Sequence, residues 1–142
     1  MGATAESAAE QSNAGKFGLR PGQVVQEFGY DDDVDEDLRS GVQDLTGNEI
    51  EDEDADDVVD AVIYWWRDGD GDLVDALVDA LTNLADGGVI WLLTPKPGRD
   101  GYVESSEIDD AAPTAGLHST STISACQDWT GTRLASPRSG RR

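Results

Sequence analysis

The chain of 142 residues contains one cysteine, Cys126, and one histidine, His118. A lone cysteine excludes an internal disulfide framework and a cysteine-rich zinc site, and it fits a reducing compartment such as the cytoplasm. Basic side chains are scarce too: ten Lys and Arg stand against thirty Asp and Glu, for a formal net charge of −20. Only Lys16 and Lys96 are lysines. A surface of that sign repels nucleic acid and anionic membrane, which are polyanions. Neither is expected as a partner, whereas a basic protein partner suits the charge. No apolar run is long enough to span a membrane, and residues 1–16 lack the basic start and apolar stretch of a signal peptide. There is no P-loop and no visible metal-ligand cluster. No cofactor and no metal are expected.

What the chain does have is a strong central unit, residues 60–96. Residues 60–66 (Asp-Ala-Val-Ile-Tyr-Trp-Trp) are apolar on both alternating faces, as a strand covered by helices on both sides would be. Residues 67–71 (Arg-Asp-Gly-Asp-Gly) are a turn cluster. The period then changes to helical, with Leu73, Val74, Leu77, Val78, Leu81 and Leu84 on one stripe and Asp72 placed to cap the start. Gly87 or Gly88 supplies the left-handed stop. Residues 89–94 (Val-Ile-Trp-Leu-Leu-Thr) form a second doubly buried strand, ended by Pro95 and Pro97. Two buried strands joined by an amphipathic helix predict a right-handed βαβ crossover.

Around this unit, residues 23–28 read as a first strand. Asp31, Asp32 and Asp33 open a helix with the stripe Val34, Leu38, Val42 and Leu45, stopped by Gly47. Ser105 or Ser106 caps a third helix, which Pro113 should kink or shorten. Residues 120–125 and 132–136 are strands of a closing hairpin, with residues 127–131 as its turn. The expected organisation is a disordered tail at 1–16, one domain at 17–136 and a basic tail at 137–142.

Between residues 31 and 60 lie fifteen of the thirty acids and a single base, Arg39. With a screening length of about 8 Å, neighbours in this run still repel one another. The run is either a solvated face or a docking surface for a basic partner, with Asp31, Asp32, Asp33, Asp52, Glu53 and Asp54 as its core. A second candidate lies at the carboxyl ends of the strands, where open α/β sheets bind ligands. Trp66, Arg67, Asp68, Thr94, Lys96, Arg99 and Tyr102 belong near that edge. Three of the ten bases fall there, either as a small anion site or partner-docking edge, or as ion pairs to nearby acids. Asp68, Asp70 and Asp72 have the spacing of a calcium loop's first ligands, but the loop's glycine and glutamate positions hold Leu73 and Asp79, so a polar turn and helix cap is expected. Trp65, Trp66 and Trp91 read as core packing, and Trp129 as a hairpin residue folded over the sheet. Cys126 and His118 sit on or beside one late strand, open to a nucleophile–base pair but with no orienting third group, so a buried thiol is the default.

The order of elements is one seen elsewhere. Residues 60–66 followed by Leu84-Ala-Asp-Gly-Gly-Val-Ile-Trp-Leu92 resemble the second half of a class I methyltransferase. Across most of the chain, Gly18-Leu-Arg-Pro-Gly-Gln-Val24, Leu92-Leu-Thr-Pro-Lys96 and Asp128-Trp-Thr-Gly131 resemble a bacterial family of unknown function, DUF3052. The resemblance implies an α/β fold: a reduced, methyltransferase-like Rossmann sheet of about five strands, mostly parallel with a C-terminal antiparallel hairpin, and helices on both faces. The departures also matter. Methyltransferases place a glycine-rich turn after the first strand, where backbone N–H groups meet the cofactor. Here Gly29 is followed by Tyr30 and three aspartates, and only about a dozen residues separate Thr46 from the strand at 60. The adenosine-binding half is cut short. The expectation is a non-enzymatic binding or regulatory protein that contacts a partner through residues 31–60. The alternative is an S-adenosylmethionine-dependent methyltransferase, or another nucleotide-ligand enzyme, using the strand-end crevice.

Overall fold

A computed structural model describes residues 13–136. The sheet has five strands: β1 (Val25–Phe28), β2 (Val59–Trp65), β3 (Leu84–Pro95), β4 (His118–Ser124) and β5 (Trp129–Ala135). Their order across the sheet is β1-β2-β3-β5-β4. The first two pairings are parallel and the last two antiparallel. Three helices connect them: α1 (Glu36–Thr46), α2 (Leu73–Ala80) and α3 (Ser105–Thr114).

Strand alternation sends side chains to two cores. On one face, Ala61, Ile63 and Trp65 of β2 and Trp91 and Leu93 of β3 pack against Leu38, Val42 and Leu45 of α1 and against Phe17. On the other, Val62, Ile90, Leu92 and Leu134 pack against Leu73 and Leu77 of α2 and Ile108 and Ala112 of α3. Double coverage is why β2 and β3 are apolar on both faces. All four tryptophans are buried, at 0–4% exposure.

Several boundaries differ from the sequence-based expectation. The 3₁₀ turn Asn13–Phe17 falls partly in the segment expected as a disordered tail; Ala14 is fully buried there, so the folded part starts earlier than residue 17. Residues 1–12 and the basic tail at 137–142 lie outside the described residues. Asp31, Asp32 and Asp33 precede α1 rather than open it. Asp35 is the cap, its carboxylate accepting from the Leu38 N–H at 2.9 Å. The second helix stops at Ala80 instead of running to Gly87. Asn83 donates to the Ala55 carbonyl at 2.6 Å, and the Val59 N–H donates to Asn83 O at 2.9 Å, so Leu84 joins the sheet opposite Val59. Residues 85–88 then bulge out of the ladder. Val78, placed on the apolar stripe by spacing, is half exposed. Neither Ser105 nor Ser106 caps α3; Glu104 holds that position without a side-chain cap bond. Pro113 sits in the last turn of α3, which ends one residue later. Trp129 and Gly131, expected in the hairpin turn, belong to β5. Among the described residues no helix is long and apolar enough to cross a membrane.

Candidate functional site

Ligand crevices of open α/β sheets form where successive connections leave a strand in opposite directions. Here that point lies between β1 and β2. Beyond α1 the chain touches the outer edge of β1 through a single parallel bridge, Gln26 to Glu51. The Glu51 N–H donates to Val25 O and the Glu27 N–H donates to Glu51 O, each at 2.8 Å. The chain then crosses to β2 on the inner edge. One bridge stands where a further parallel strand would lie, so the shortened interval after Thr46 has a direct structural counterpart.

Arg67 bridges the two strand ends, and open space of about 520 Å³ remains beside it against Asp33, Arg99, Asp128 and Trp129. Arg67 leaves the carboxyl end of β2 and turns its guanidinium back over the ends of both strands. Nη1 donates to Gly29 O at 2.8 Å and to Trp65 O at 2.9 Å. Nε donates to Asp33 Oδ2 at 3.0 Å, and Nη2 is ion-paired with the other oxygen of Asp33. The Trp129 ring lies 5.3 Å from the guanidinium carbon, and its indole N–H donates to Asp33 O at 3.3 Å. The Arg67 side chain keeps only 16% exposure. Hydrogen bonding from Arg67 holds the Asp33 carboxyl below its ordinary pKa. The stabilisation from that shift is present above the ordinary carboxylate range and is lost as pH falls through the depressed value. The Gly29 N–H, at the position where a cofactor-binding turn would begin, donates to Glu53 Oε1 at 3.3 Å.

A second polar cluster lies under this crevice, and composition gave no sign of it. Glu27, 6% exposed in the middle of β1, accepts from Arg39 Nε at 2.7 Å, from Arg39 Nη2 at 2.9 Å and from the Trp65 indole N–H at 2.8 Å. Arg39 also donates to Glu36 and lies 4.6 Å from the Tyr30 ring centre. The Glu27 hydrogen bonds raise the pKa of Arg39 despite its partial burial. The available signal was an acid on a buried strand together with the lone base of the acidic half.

The other predicted residues are placed as follows. Trp66 is buried on the α2 and α3 face, and its indole N–H has no partner among the described residues. The Asp68 N–H donates to Gly101 O at 2.9 Å, so the loops after β2 and β3 meet. Lys96 donates to the Ser124 hydroxyl, and Lys16 donates to the Ser124 carbonyl at 2.8 Å. Arg99 pairs with Asp128 at 3.1 Å. Thus Lys96 and Arg99 are tied to the hairpin, while Arg67 is tied to Asp33. Tyr102, 36% exposed, stands at a separate pocket under α3, which Thr94 also lines. Asp70 pairs with Arg67 and Asp72 caps α2; no cluster of metal-ligating side chains forms among the described residues. His118 opens β4 and Cys126 lies two residues past its end, so the strand alone sets them about 20 Å apart at about 3.3 Å per residue and they form no nucleophile–base pair. Burial pushes the Cys126 thiol up to about 11.

The acidic segment is the free surface. Asp31, Asp32, Asp52, Glu53 and Asp54 are exposed and form no ion pair among the described residues; Asp33 alone of the six named acids has a cation. Glu53, Asp54, Asp56 and Asp79 rim a groove of about 390 Å³ that Gln26, Phe28 and Asn83 also line. Phe28 stacks on Tyr64 at 5.2 Å beside it. Burial first, and then the nearby acids Glu53, Asp79 and Asp70, raise the Tyr64 pKa.

Comparisons with known proteins agree with this architecture. An uncharacterised protein of Mycobacterium tuberculosis is 49% identical over 139 residues, covering 97% of this chain and 87% of its own. Among solved structures, a SAM-dependent methyltransferase from Aquifex aeolicus matches with a TM-score of 0.58 at 12% identity, over 85% of this chain and 86% of that one. Magnesium protoporphyrin IX methyltransferase from Synechocystis, with bound SAM, matches with a TM-score of 0.56 at 11% identity, over 93% of this chain and 77% of that one. At such identities the likeness speaks for the fold alone. The model of the family described as "Protein of unknown function (DUF3052)" matches residues 14–138, and the chain therefore belongs to the DUF3052 family, built on a methyltransferase-like α/β fold.

Proposed function

We propose that this protein is a non-enzymatic binding protein that docks a basic protein partner on the acidic segment 31–60. The observation that carries the reading is the Arg67 guanidinium, which bridges the two strand ends and satisfies the carbonyls of Gly29 and Trp65. A cofactor entering there would have to break the Arg67–Asp33 pair and leave both partners in search of new ones. Among the described residues the acids around the groove have no ion-pair partner, and the stacked Phe28 and Tyr64 beside it offer aromatic surface to an arginine or lysine stem.

A nine-residue arginine peptide is the probe. It should bind the full chain and weaken steeply with added salt. Asp52→Asn, Glu53→Gln and Asp54→Asn together keep the acceptors used by Asp54 N–H and Gly29 N–H while removing three charges. That variant should bind about 5- to 30-fold more weakly, from about 1–2 kcal/mol over three exposed charges. Equal affinity of variant and native chain contradicts the assignment of this surface.

The switch point between β1 and β2, where open α/β sheets take ligands, supports a second reading, an S-adenosylmethionine-dependent methyltransferase or other nucleotide-ligand enzyme. In that reading Arg67 swings out of the crevice when the cofactor binds.

A further inference from the structure

On the sheet face opposite the Arg67 crevice, the core changes character toward the carboxyl end of β3. Along β3 the inward positions run Ile90, Leu92, Thr94, and along β5 they run Leu134, Thr132, Thr130. The register sets Thr94 opposite Thr130, Leu92 opposite Thr132, and Thr122 of β4 opposite Thr132. Aliphatic packing thus gives way to a patch of threonines, and α3 does not fill the space above them. A pocket of about 140 Å³ remains. Its walls include Pro95, Val103 and Ile108; Tyr102, Ser105 and Asp109 stand at its mouth.

Two of these hydroxyls are free to hydrogen-bond a molecule in the cavity. Thr94 and Thr132 are 2% and 5% exposed, and among the described residues neither hydroxyl has a hydrogen bond. Both line the cavity, and neither is among the enclosed side-chain atoms left without a partner, so the two hydroxyls open onto the cavity, where water or a bound molecule can meet them. The adjoining end of α3 has no side-chain cap, so N–H donors of its first turn are open near the mouth. The volume is close to that of an apolar cavity of about 150 Å³ that takes benzene. Asp109, without an ion-pair partner among the described residues, sets the sign against an anion.

We propose that this pocket binds a small, neutral, single-ring-sized molecule, apolar toward Val103 and Ile108 and hydrogen-bonding toward Thr94 and Thr132. The site is independent of the acidic docking surface and of the Arg67 bridge.

The test uses the full chain and three probes, phenol, toluene and benzoate, followed by NMR. Phenol should give saturable shifts at Thr94, Val103, Ile108 and Thr132, at least fivefold tighter than toluene and than benzoate. Thr94→Val with Thr132→Val, which keeps the shape, should bring phenol down to the affinity of toluene. Thr122→Phe, a change at an exposed position on the pocket lining, should abolish binding of both. No saturable shift from phenol, equal binding of phenol and toluene to the native chain, unchanged phenol binding by the double variant, or benzoate binding tighter than phenol would each overturn the proposal.

Discussion

Gly29→Ala should lower the melting temperature by roughly 10–20 °C, a larger effect than most single-methyl changes produce. A Cβ at this position would lie 2.2 Å from the backbone oxygen of Trp65, and the glycine has φ +77°. Both facts act in the same direction. An alanine in the left-handed region costs about 1–2 kcal/mol, and forcing an extra methyl against rigid backbone costs about 1–3 kcal/mol more. The clash cannot be relieved by a side-chain rotation, because the opposing atom is a carbonyl of β2 that also accepts from Arg67. The glycine is therefore accounted for by close approach of β1 to β2 and needs no ligand to explain it. A thermal melt in which Gly29→Ala unfolds within a few degrees of the native chain would mean that the strand ends have room to separate, as ligand entry requires.

Glu27→Leu should destabilise the chain by about 3–5 kcal/mol, the range for removing one partner of a buried ion pair. The variant leaves the Arg39 guanidinium short of two hydrogen bonds and the Trp65 indole N–H without its acceptor. Against a typical total stability of about 5–15 kcal/mol, that loss takes a large part of the margin. Adding Arg39→Met to Glu27→Leu should restore part of it, because the uncompensated charge goes with it. The deficit that remains, about 1–3 kcal/mol, belongs to the orphaned indole. Chemical denaturation of the two variants measures the ordering directly. If the double variant is less stable than the single, the cluster holds the fold through packing of the Arg39 stem and not through its charge.

The sequence made some features legible and hid others, for physical reasons. The unit β2-α2-β3 was readable because burial on both faces forces consecutive apolar residues at 61–66 and 89–93, and Asp72 marks the start of its helix. Its end was misread because Leu81 and Leu84 continue the helical spacing, while what ends the helix is a bond from Asn83 to Ala55, 28 residues away. Three acids in a row suggested a helix start, but Asp33 is drawn off by Arg67, 34 residues on, and Asp35 does the capping. Lys96 and Arg99 follow the end of β3, and their partners, Ser124 and Asp128, lie on a hairpin whose approach no local pattern records. The Arg67 bridge is of the same kind: the sequence shows a lone Gly29 where a glycine-rich turn would stand, and only the fold shows that Arg67 reaches its carbonyl. The threonine patch was visible as Thr94, Thr130 and Thr132 at alternating positions, but its enclosure depends on where α3 stops.

The central claim is that Arg67, held by Asp33, blocks the point between β1 and β2 where a methyltransferase-like sheet would take its cofactor. An amide and indole NMR titration of the full chain with S-adenosylmethionine, with its demethylated product, ATP and NAD as further arms, tests it most directly. The account predicts a spectrum unmoved by all four at millimolar concentration, with Gly29, Arg67 and the Trp129 indole at their ligand-free positions. Saturable shifts clustered at Gly29, Asp33, Arg67 and Trp129 would contradict it, and would show that the pair opens as a gate to a working cofactor site.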